Sequence, residues 1–497
     1  MPVPGEVSAA PSAAARTPHS SGFGHASTHP VHFTVDFISA FPGWAGATPA
    51  ERSAAMHKLA AELDAVSEEL ATAESRQAGK PIRLTTGFDV PGTVDNVSFF
   101  AGAARNLDGK ASAEYSGVHT STIRREPIGV IGSIAPWNYP LQMAAWKILP
   151  AIAAGNTIVL KPAELTPTTS VAFAEAAQRA GILDGVVNVL TGCGSIVGEA
   201  LVTHRDVGMV SFTGSTGAGS RVGSLAAGLV KRVHLELGGK APFLVFDDAD
   251  LEAAARGAVA GSLINAGQDC TAATRAYVQR PHYDAFVGRV AELMSQVVLG
   301  PVDDPATDLG SLISLAHRDN VAGLVDRARA AGAKVVTGGR RGTGDLESGA
   351  YYEPTLVVDA TQDSEIVQEE IFGPVLVALP FDDDTQGLTL ANDTPYGLAA
   401  SAWTSNVFRA QRASAGIAAG CVWINDHIPI ITAARRVQSL RLRQGHVHLL
   451  VRGVHPGQAR HVGAVPTAAQ GLARRHLHQR AGGARRRRLT HLDFSPP

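Results

Sequence analysis

The sequence predicts an α/β protein with two domains, each built around a parallel sheet. Short runs of β-branched and aliphatic residues alternate with helical stretches across residues 129–212, which is the pattern of strands joined by helical crossovers. The alternation restarts after about residue 240. The first series has a Rossmann-like rhythm, and the second indicates a separate α/β domain.

The predicted elements follow one another closely. A long amphipathic helix is expected over about residues 49–77, and another over 94–105. The first series then has strands at 129–135, 157–160, 185–190 and 209–212, with helices at 141–154 and 168–179. The second series begins with a strand at 242–246 and a helix near 251–266. Hydrophobic periodicity carries each of these assignments.

Length and composition are typical of a soluble enzyme. A chain of 497 residues is long enough for two or three domains. No uninterrupted apolar run reaches the roughly 18 to 20 residues of a membrane-spanning helix. The N-terminus also lacks the basic and apolar regions of a signal peptide. We therefore expect a cytoplasmic protein with no membrane partner.

Cysteine usage points to a single reactive thiol. Cys193, Cys270 and Cys421 are too few and too scattered for a disulfide framework or a zinc site, so no metal is expected. We assign Cys193 and Cys421 to packing. Cys270 lies in a turn-prone segment, residues 265–275, after a run of small residues, and this placement predicts a nucleophile.

A glycine-rich segment at residues 212–219, Phe-Thr-Gly-Ser-Thr-Gly-Ala-Gly, follows a predicted strand and is expected to open a helix. Its amides, with Gly214, Ser215 and Gly219, are placed to bind a pyrophosphate at a helix N-terminus. However, its spacing is not Gly-x-Gly-x-x-Gly, and such segments are commonly only turns. The segment alone leaves both interpretations open.

Four further motifs accompany this segment and the cysteine. They are Pro-Trp-Asn-Tyr-Pro at 136–140, Lys-Pro-Ala-Glu at 161–164, Leu-Glu-Leu-Gly-Gly-Lys at 235–240 and Glu-Glu-Ile-Phe-Gly-Pro at 369–374. In this order and spacing, the chain resembles the aldehyde dehydrogenase superfamily from about residue 41 to residue 425. Because several motifs are in register, the resemblance is specific. It implies an enzyme that oxidises an aldehyde with NAD.

The residues fit the chemistry of aldehyde oxidation. A thiolate at Cys270 would form a thiohemiacetal, which can release hydride to a nicotinamide. The side-chain amide of Asn138 and the backbone N–H of Cys270 can stabilise the oxyanion. Glu236 matches the family's general base, which activates water to hydrolyse the thioester. A surface carboxylate is the alternative for Glu236, but Gly238 and Gly239 argue against it because they permit close approach to a cofactor.

The resemblance also implies the contacts to NAD. Lys161 and Glu164 match the positions that hold the adenosine ribose, and a carboxylate at Glu164 favours NAD over NADP because it repels a 2′-phosphate. Glu370 matches the residue that binds the nicotinamide-side ribose, and Phe372 matches a neighbour of the ring. Trp137 has two interpretations, a core aromatic residue or a direct cofactor contact.

Substrate choice depends on the wording of two segments. Gly-Gln-Asp-Cys-Thr-Ala-Ala-Thr at 267–274 and Trp-Ile-Asn-Asp-His-Ile-Pro at 423–429 look most like 4-aminobutyraldehyde dehydrogenases, with betaine aldehyde dehydrogenases close behind. A cationic amino group favours acids near the substrate funnel, where Asp269 or Asp95 could pair with it. Either residue could equally be a solvated surface acid.

The resemblance implies three parts and an oligomer. We expect an NAD-binding domain over residues 41–108 and 127–239, an oligomerisation hairpin over 109–126, and a catalytic domain over 240–431. The family implies a homodimer or homotetramer. Residues 1–40 are rich in Ala, Ser, His and Pro without apolar periodicity, which predicts an atypical loose arm.

Residues 432–497 depart from the family. From residue 433 onward the chain has thirteen arginines and one acid, Asp493, so this tail carries +12 and the rest carries −14 of the total charge of −2. Reading its codons one base out of frame allows residues 433–447 to become Pro-His-Gly-Gly-Tyr-Lys-Ala-Ser-Gly-Phe-Gly-Lys-Asp-Met-Ser, which resembles the family's ending. We therefore expect a frameshift after about residue 431, with impaired subunit pairing if the last strand is absent.

This interpretation makes the tail's apparent motifs accidental. Four arginines at 485–488 could bind nucleic acid, and His446 with His448 could bind a metal, but accidental charge explains them better. Nucleic acid is therefore not an expected partner. Two alternatives to an active enzyme stay open: an inactive, NAD-binding remnant, and a nucleic-acid-binding protein that acts through its tail.

Overall fold

The structure, a computed structural model, describes residues 36–107, 110–116, 119–123 and 125–428. Residues 1–35 of the predicted arm, and the predicted frameshifted tail, lie outside the described residues. Helix α1, Asp36–Gly46, begins inside the range predicted as an arm. Its buried Trp44 donates from the indole nitrogen to the carbonyl of Ile152 at 2.9 Å. The prediction of a loose arm was therefore wrong for residues 36–40.

Helices continue from α1 to the first strand. They are α2 Pro49–Asp64, α3 Ser67–Ala78, α4 Ile82–Leu84 and α5 Val90–Ala103, with a π-helical turn at Thr85–Asp89. The single helix predicted over 49–77 is divided, because Val66 leaves the helical region with φ of −116° and packs its side chain against the core. The helix predicted from residue 94 begins earlier, at Val90.

A hairpin and a parallel sheet follow. Strands β1 Lys110–Ser116 and β2 His119–Ile123 pair antiparallel, within the range predicted for a hairpin. The sheet contains β3 Val130–Ile134, β4 Thr157–Lys161, β5 Val187–Val189, β6 Val207–Thr213 and β7 Arg232–Glu236. Its helices are α6 Pro140–Ala153, α7 Thr168–Arg179, α8 Glu199–Thr203 and α9 Thr216–Gly228, with a π-helical turn at Gly194–Gly198.

The strand order of this sheet is β5-β4-β3-β6-β7, and neighbouring strands run parallel. The chain adds β4 and β5 on one side of β3 and then returns to place β6 on the other side. The order therefore reverses between β3 and β6. In open α/β sheets, such a switch point forms a crevice at the carboxyl ends of the strands, where ligands bind.

The second sheet has the order β10-β11-β12-β9-β8-β13-β14. Its strands are β8 Ala241–Val245, β9 Ala273–Gln279, β10 Lys334–Thr337, β11 Thr355–Val358, β12 Val375–Phe381, β13 Ala399–Trp403 and β14 Cys421–Ile424. The β10–β11 pair is antiparallel and the other pairs are parallel. Its helices are α10 Leu251–Leu263, α11 Arg280–Ser295, α12 Leu315–Ala330, α13 Glu365–Gln368, α14 Asp384–Asn392 and α15 Val407–Gly416, with 3-10 turns at Ile264–Gly267 and Gly344–Leu346.

Each sheet is covered by helices and has its own buried apolar cluster, which is the predicted α/β architecture. Helix α10 ends at Leu263, before the predicted end near residue 266, because Asn265 and Ala266 adopt left-handed conformations. No helix within the described residues is long and apolar enough to cross a membrane.

Candidate active site

The loop that carries Cys270 has a strained backbone. After α10, Asn265, Ala266 and Gly267 adopt left-handed conformations in succession, with φ of 50°, 55° and 70°. Such a conformation costs roughly 1–2 kcal/mol for a residue with a Cβ, and it persists where surrounding contacts impose it. The side-chain amide of Asn265 supplies one contact by donating to the carbonyl of Asn138 at 2.8 Å. The loop thereby presents the half-buried Cys270 just before β9.

Two glycines of the 235–240 motif pack against this loop and against Glu370. A side chain on Gly239 would overlap the carbonyl oxygen of Cys270, and one on Gly238 would overlap the carboxylate of Glu370. The N–H of Gly239 donates to Oε1 of Glu370 at 3.0 Å. Burial raises the pKa of Glu370, and this hydrogen bond opposes the rise. Three predicted motifs therefore meet at a point where only glycine fits.

Asn138 lies against the same loop. It is buried between β3 and α6, and its Nδ2 donates to the carbonyl of Gln268 at 2.9 Å. A carboxamide nitrogen carries two hydrogens, so this bond uses one and leaves the other for an oxygen bound near Cys270. The structure thus brings the predicted oxyanion donor to the loop of the predicted nucleophile.

Tyr139 and Asp269 form a hydrogen-bonded pair next to Cys270. The hydroxyl of Tyr139 donates to Oδ2 of Asp269 at 2.7 Å. The N–H and the hydroxyl of Thr271 donate to Oδ1, each at 2.7 Å. These three donors are uncharged, so none of them cancels the charge of an ionised Asp269. The other acidic candidate, Asp95, is exposed on α5.

Buried charges lie behind Tyr139, and the sequence analysis missed them. Nζ of Lys80 lies 3.6 Å from the centroid of the Tyr139 ring and 2.7 Å from Oδ2 of Asp89, and both ion-pair partners are fully buried. Glu74 is also fully buried, and its Oε2 accepts from the hydroxyl of Thr169 at 2.7 Å. Burial raises the pKa of Glu74 to about 7, against the opposing charge of Lys80. Charged residues within apolar helical patterns were the available signal.

A buried histidine supports the loop from another direction. His427 lies in the 423–429 segment, and its two ring nitrogens lie 2.9 Å from Oγ of Ser401 and 2.8 Å from the carbonyl oxygen of Thr271. Burial lowers the pKa of His427 to about 4, so the ring is neutral near pH 7. The segment that we read for substrate preference therefore also holds the residue after Cys270.

Glu236 ends β7, at the carboxyl edge of the first sheet. Its backbone carbonyl accepts from the N–H of Gly214 at 3.0 Å. The side chain is largely buried, and Oε1 lies 3.1 Å from Nε2 of His234. Nδ1 of His234 lies 3.2 Å from Oγ of Ser211. Burial lowers the pKa of His234 to about 3, and the charge of Lys147 lowers it further, so its imidazole is neutral.

The glycine-rich segment joins β6 to α9, as predicted. Ser215 caps α9, with Oγ accepting from the N–H of Ala218 at 3.4 Å. A side chain on Gly219 would overlap Leu237, so glycine allows α9 to pack close to the end of β7. The N-terminus of α9 therefore faces the crevice at the switch point, where backbone N–H groups can receive a phosphate.

Lys161 and Glu164 follow one another at the carboxyl end of β4. Lys161 is buried, and its Nζ lies 3.9 Å from Oε1 of the exposed Glu164. That oxygen also accepts from the N–H of Gly194 at 2.7 Å. Burial lowers the pKa of Lys161, and the charge of Glu164 opposes this. An exposed carboxylate beside a lysine at this edge fits the hydroxyls of a ribose.

Aromatic side chains meet at the other end of the crevice. The rings of Trp137 and Phe372 lie 5.3 Å apart at 89°, and the ring of His317 lies 5.5 Å from that of Trp137. Nε2 of His317 lies 2.8 Å from the carbonyl oxygen of Phe372, whose φ is 56°. Trp137 is only half-buried, so it combines an aromatic packing contact with a face toward solvent.

Comparisons with known proteins agree with this geometry. The model of the aldehyde dehydrogenase family matches residues 38–436. A betaine aldehyde dehydrogenase from Vibrio vulnificus is 41% identical over 386 residues, which cover 78% of this chain and 79% of the relative.

Two solved structures give the same result. An NAD-dependent aldehyde dehydrogenase from Sinorhizobium meliloti is 42% identical, with a TM-score of 0.78 over 80% of this chain and 78% of that one. A betaine aldehyde dehydrogenase from Staphylococcus aureus, solved in complex with NAD+, is 36% identical, with a TM-score of 0.78 over 80% and 79%. The predicted fold is confirmed. Because the family model and these relatives each match most of the chain, the protein belongs to the aldehyde dehydrogenase family.

Proposed function

We propose that this NAD-dependent aldehyde dehydrogenase oxidises a small aldehyde with a cationic nitrogen to its carboxylic acid, with 4-aminobutyraldehyde as the first candidate and betaine aldehyde as the second. The observation that carries this proposal is Asp269, which adjoins Cys270 and accepts hydrogen bonds from uncharged donors. An uncompensated carboxylate favours a cation in the same cleft. The betaine aldehyde dehydrogenases among the relatives support the same substrate class.

The arrangement supports a two-stage reaction. In the first stage, the thiolate of Cys270 adds to the aldehyde carbon, and the side-chain amide of Asn138 with the N–H of Cys270 binds the oxyanion. NAD, when bound, accepts the hydride that leaves this carbon. In the second stage, Glu236 takes a proton from water as its oxygen adds to the thioester carbon. The carbon–sulfur bond then breaks, releasing the acid and the thiolate.

The family and the NAD+ complexes among the relatives support NAD as the cofactor, and the crevice has the groups to hold it. We assign the adenosine ribose to Lys161 and Glu164, and the pyrophosphate to the amides at Gly214, Ser215 and Gly219. The nicotinamide side is assigned to Glu370 and Phe372, with Trp137 nearby. Gly238 leaves room for close approach because a side chain there would already overlap Glu370.

The assembly and the tail remain part of the proposal. We assign residues 41–108 and 127–239 to the NAD-binding domain and 240–431 to the catalytic domain. The hairpin within 109–126 is assigned to pairing in a homodimer or homotetramer. The family match ends at residue 436 of 497, which supports a frameshift after about residue 431. Sequencing intact template across the codons for residues 430–438 tests it, and a single frame with no homologous ending would contradict it.

Substrate preference is tested by following NADH formation with three aldehydes at matched concentrations. The set is 4-aminobutyraldehyde, betaine aldehyde and an uncharged aldehyde of similar length. We expect kcat/KM for the cationic aldehydes to exceed that for the neutral one by about tenfold or more, which corresponds to about 1.4 kcal/mol. Cys270→Ala should remove activity with all three. A higher kcat/KM for the neutral aldehyde would contradict the proposed substrate class.

A further inference from the structure

A line of polar side chains runs from the interior of the first domain to Glu236. Nζ of Lys147 donates to Oγ of Ser211 at 3.1 Å, and Oγ of Ser211 lies 3.2 Å from Nδ1 of His234. Nε2 of His234 then lies 3.1 Å from Oε1 of Glu236. Lys147 and Ser211 are buried, and His234 is 11% exposed, so water does not replace these contacts readily.

The strand geometry explains how His234 reaches Glu236. Both residues belong to β7, and side chains two positions apart on a strand point to the same face. Ser211 lies on the neighbouring strand β6 and is paired in register with His234. Because the cross-strand partner of His234 is a hydroxyl, the imidazole is held from one side while its other nitrogen faces the carboxylate.

The direction of the hydrogen bonds selects one tautomer of His234. Lys147 donates to Ser211, so the hydroxyl hydrogen of Ser211 is the one available for Nδ1 of His234. Nδ1 is then an acceptor, and the proton of the neutral ring lies on Nε2, toward Glu236. A neutral donor can orient a carboxylate without neutralising it. An imidazolium in the same place would pair with Glu236 and make it a weaker base.

We propose that His234 is a positioning residue for the general base: its Nε2–H holds the carboxylate of Glu236 for attack on the thioester, and Ser211 with Lys147 fixes the imidazole that does so. This inference rests on the proposed role of Glu236 and extends it to residues that touch neither substrate nor cofactor. It places the contribution of His234 in the hydrolysis of the acyl-enzyme and not in its formation.

The test separates these two stages without NAD or an aldehyde. p-Nitrophenyl acetate acylates a thiolate, with loss of p-nitrophenolate, and the acetyl-enzyme is then hydrolysed by water to acetate. A rapid burst of p-nitrophenolate reports acylation of Cys270, and the slower steady rate reports hydrolysis. The full-length chain is compared with its His234→Phe, His234→Gln and Ser211→Ala variants, and melting temperature with NAD binding serves as the control for folding.

We expect His234→Phe to slow the steady rate by about tenfold or more while the burst rate stays within about twofold. His234→Gln keeps an N–H in a similar place, so it should restore most of the steady rate. Ser211→Ala should give an intermediate loss because it frees the ring but keeps Nε2. Intact mass measurement should show the acetyl adduct persisting longer in His234→Phe.

Three results would overturn the inference. They are an unchanged steady rate in a folded His234→Phe variant, an equal loss in burst and steady rate, and the absence of any burst in the unmodified chain. A failure of the substrate proposal is distinguishable, since it would leave the ester reaction and its dependence on His234 intact while cationic aldehydes show no advantage.

Discussion

The carbonyl oxygen of Cys270 fills the space into which a side chain at Gly239 would project. The 235–240 motif and the nucleophile loop are therefore in backbone contact, and neither can move without the other. We predict that Gly239→Ala displaces the loop by a fraction of an ångström to about 1 Å, and that misplacement of this size costs about 100-fold in kcat/KM. The p-nitrophenolate burst and NADH formation both measure the loss.

Gly288→Ala is the matched control. Gly288 lies within α11, and a Cβ there would meet no atom within 4 Å. The substitution should leave kcat/KM unchanged and raise the free energy of unfolding by up to about 1 kcal/mol, because alanine favours a helix more than glycine does. Equal activity in Gly239→Ala and Gly288→Ala would contradict the proposed contact.

The sequence predicted which motifs meet because they follow strands of parallel sheets. Side chains after β3, β4 and β7, such as Asn138, Lys161 and Glu236, gather at one edge once those strands pair. Local pattern and strand direction are enough for this inference. The ion pair between Lys80 and Asp89 was not predictable in the same way, since it needs the packing of helices onto one another before the partners are in contact.

The backbone of the nucleophile loop was also beyond the sequence patterns. Alanine rarely adopts a positive φ, and nothing local marks Ala266 for one. The conformation is imposed by contacts such as the hydrogen bond from Asn265 to the carbonyl of Asn138, which joins distant segments. The predicted helix was therefore extended past Leu263 into residues that the tertiary structure holds in another conformation.

The charge of Asp269 should control substrate preference. We predict that Asp269→Asn lowers kcat/KM for 4-aminobutyraldehyde and betaine aldehyde by about tenfold, because a charged group near the cleft contributes on the order of 1–2 kcal/mol. The value for an uncharged aldehyde should change much less. Steady-state kinetics with both classes measure the difference.

Asp95→Asn is the comparison for that prediction, because Asp95 is the other acid considered for the substrate. It is exposed on α5, and exposed pairs contribute about 0–1 kcal/mol. We expect a change of less than about fivefold for any aldehyde. A larger loss of preference in Asp95→Asn than in Asp269→Asn would assign the cation to α5 and contradict the role of Asp269.

Glu74 should make stability depend on pH. Burial raises its pKa from 4.5 to about 7 in the folded protein, so the folded state binds the proton more tightly than the unfolded state does. Its contribution to stability is fully present below about pH 4.5 and is lost as the pH rises through about 7. Glu74→Gln should therefore reduce the fall in the free energy of unfolding between about pH 5 and about pH 8.

Urea unfolding at several pH values measures this dependence, and Glu69→Gln on the exposed face of α3 is the control. The control should keep the slope of the unmodified chain. If Glu74→Gln also keeps that slope, the proton is not bound at Glu74 over this range, and the raised pKa would be wrong.

Lys80 should contribute to both stability and catalysis, because it pairs with Asp89 in the interior and lies over the ring of Tyr139. Lys80→Met removes the charge but keeps much of the volume, and it leaves Asp89 buried without its cation, which typically costs about 3–5 kcal/mol. We predict a loss of this size in the free energy of unfolding. Lys58→Met, on the exposed surface of α2, should stay within about 0.5 kcal/mol. Since Tyr139 also bonds to Asp269, any folded Lys80→Met protein should lose preference for cationic aldehydes. Full stability with full preference would show that the ion pair supports neither the fold nor the site.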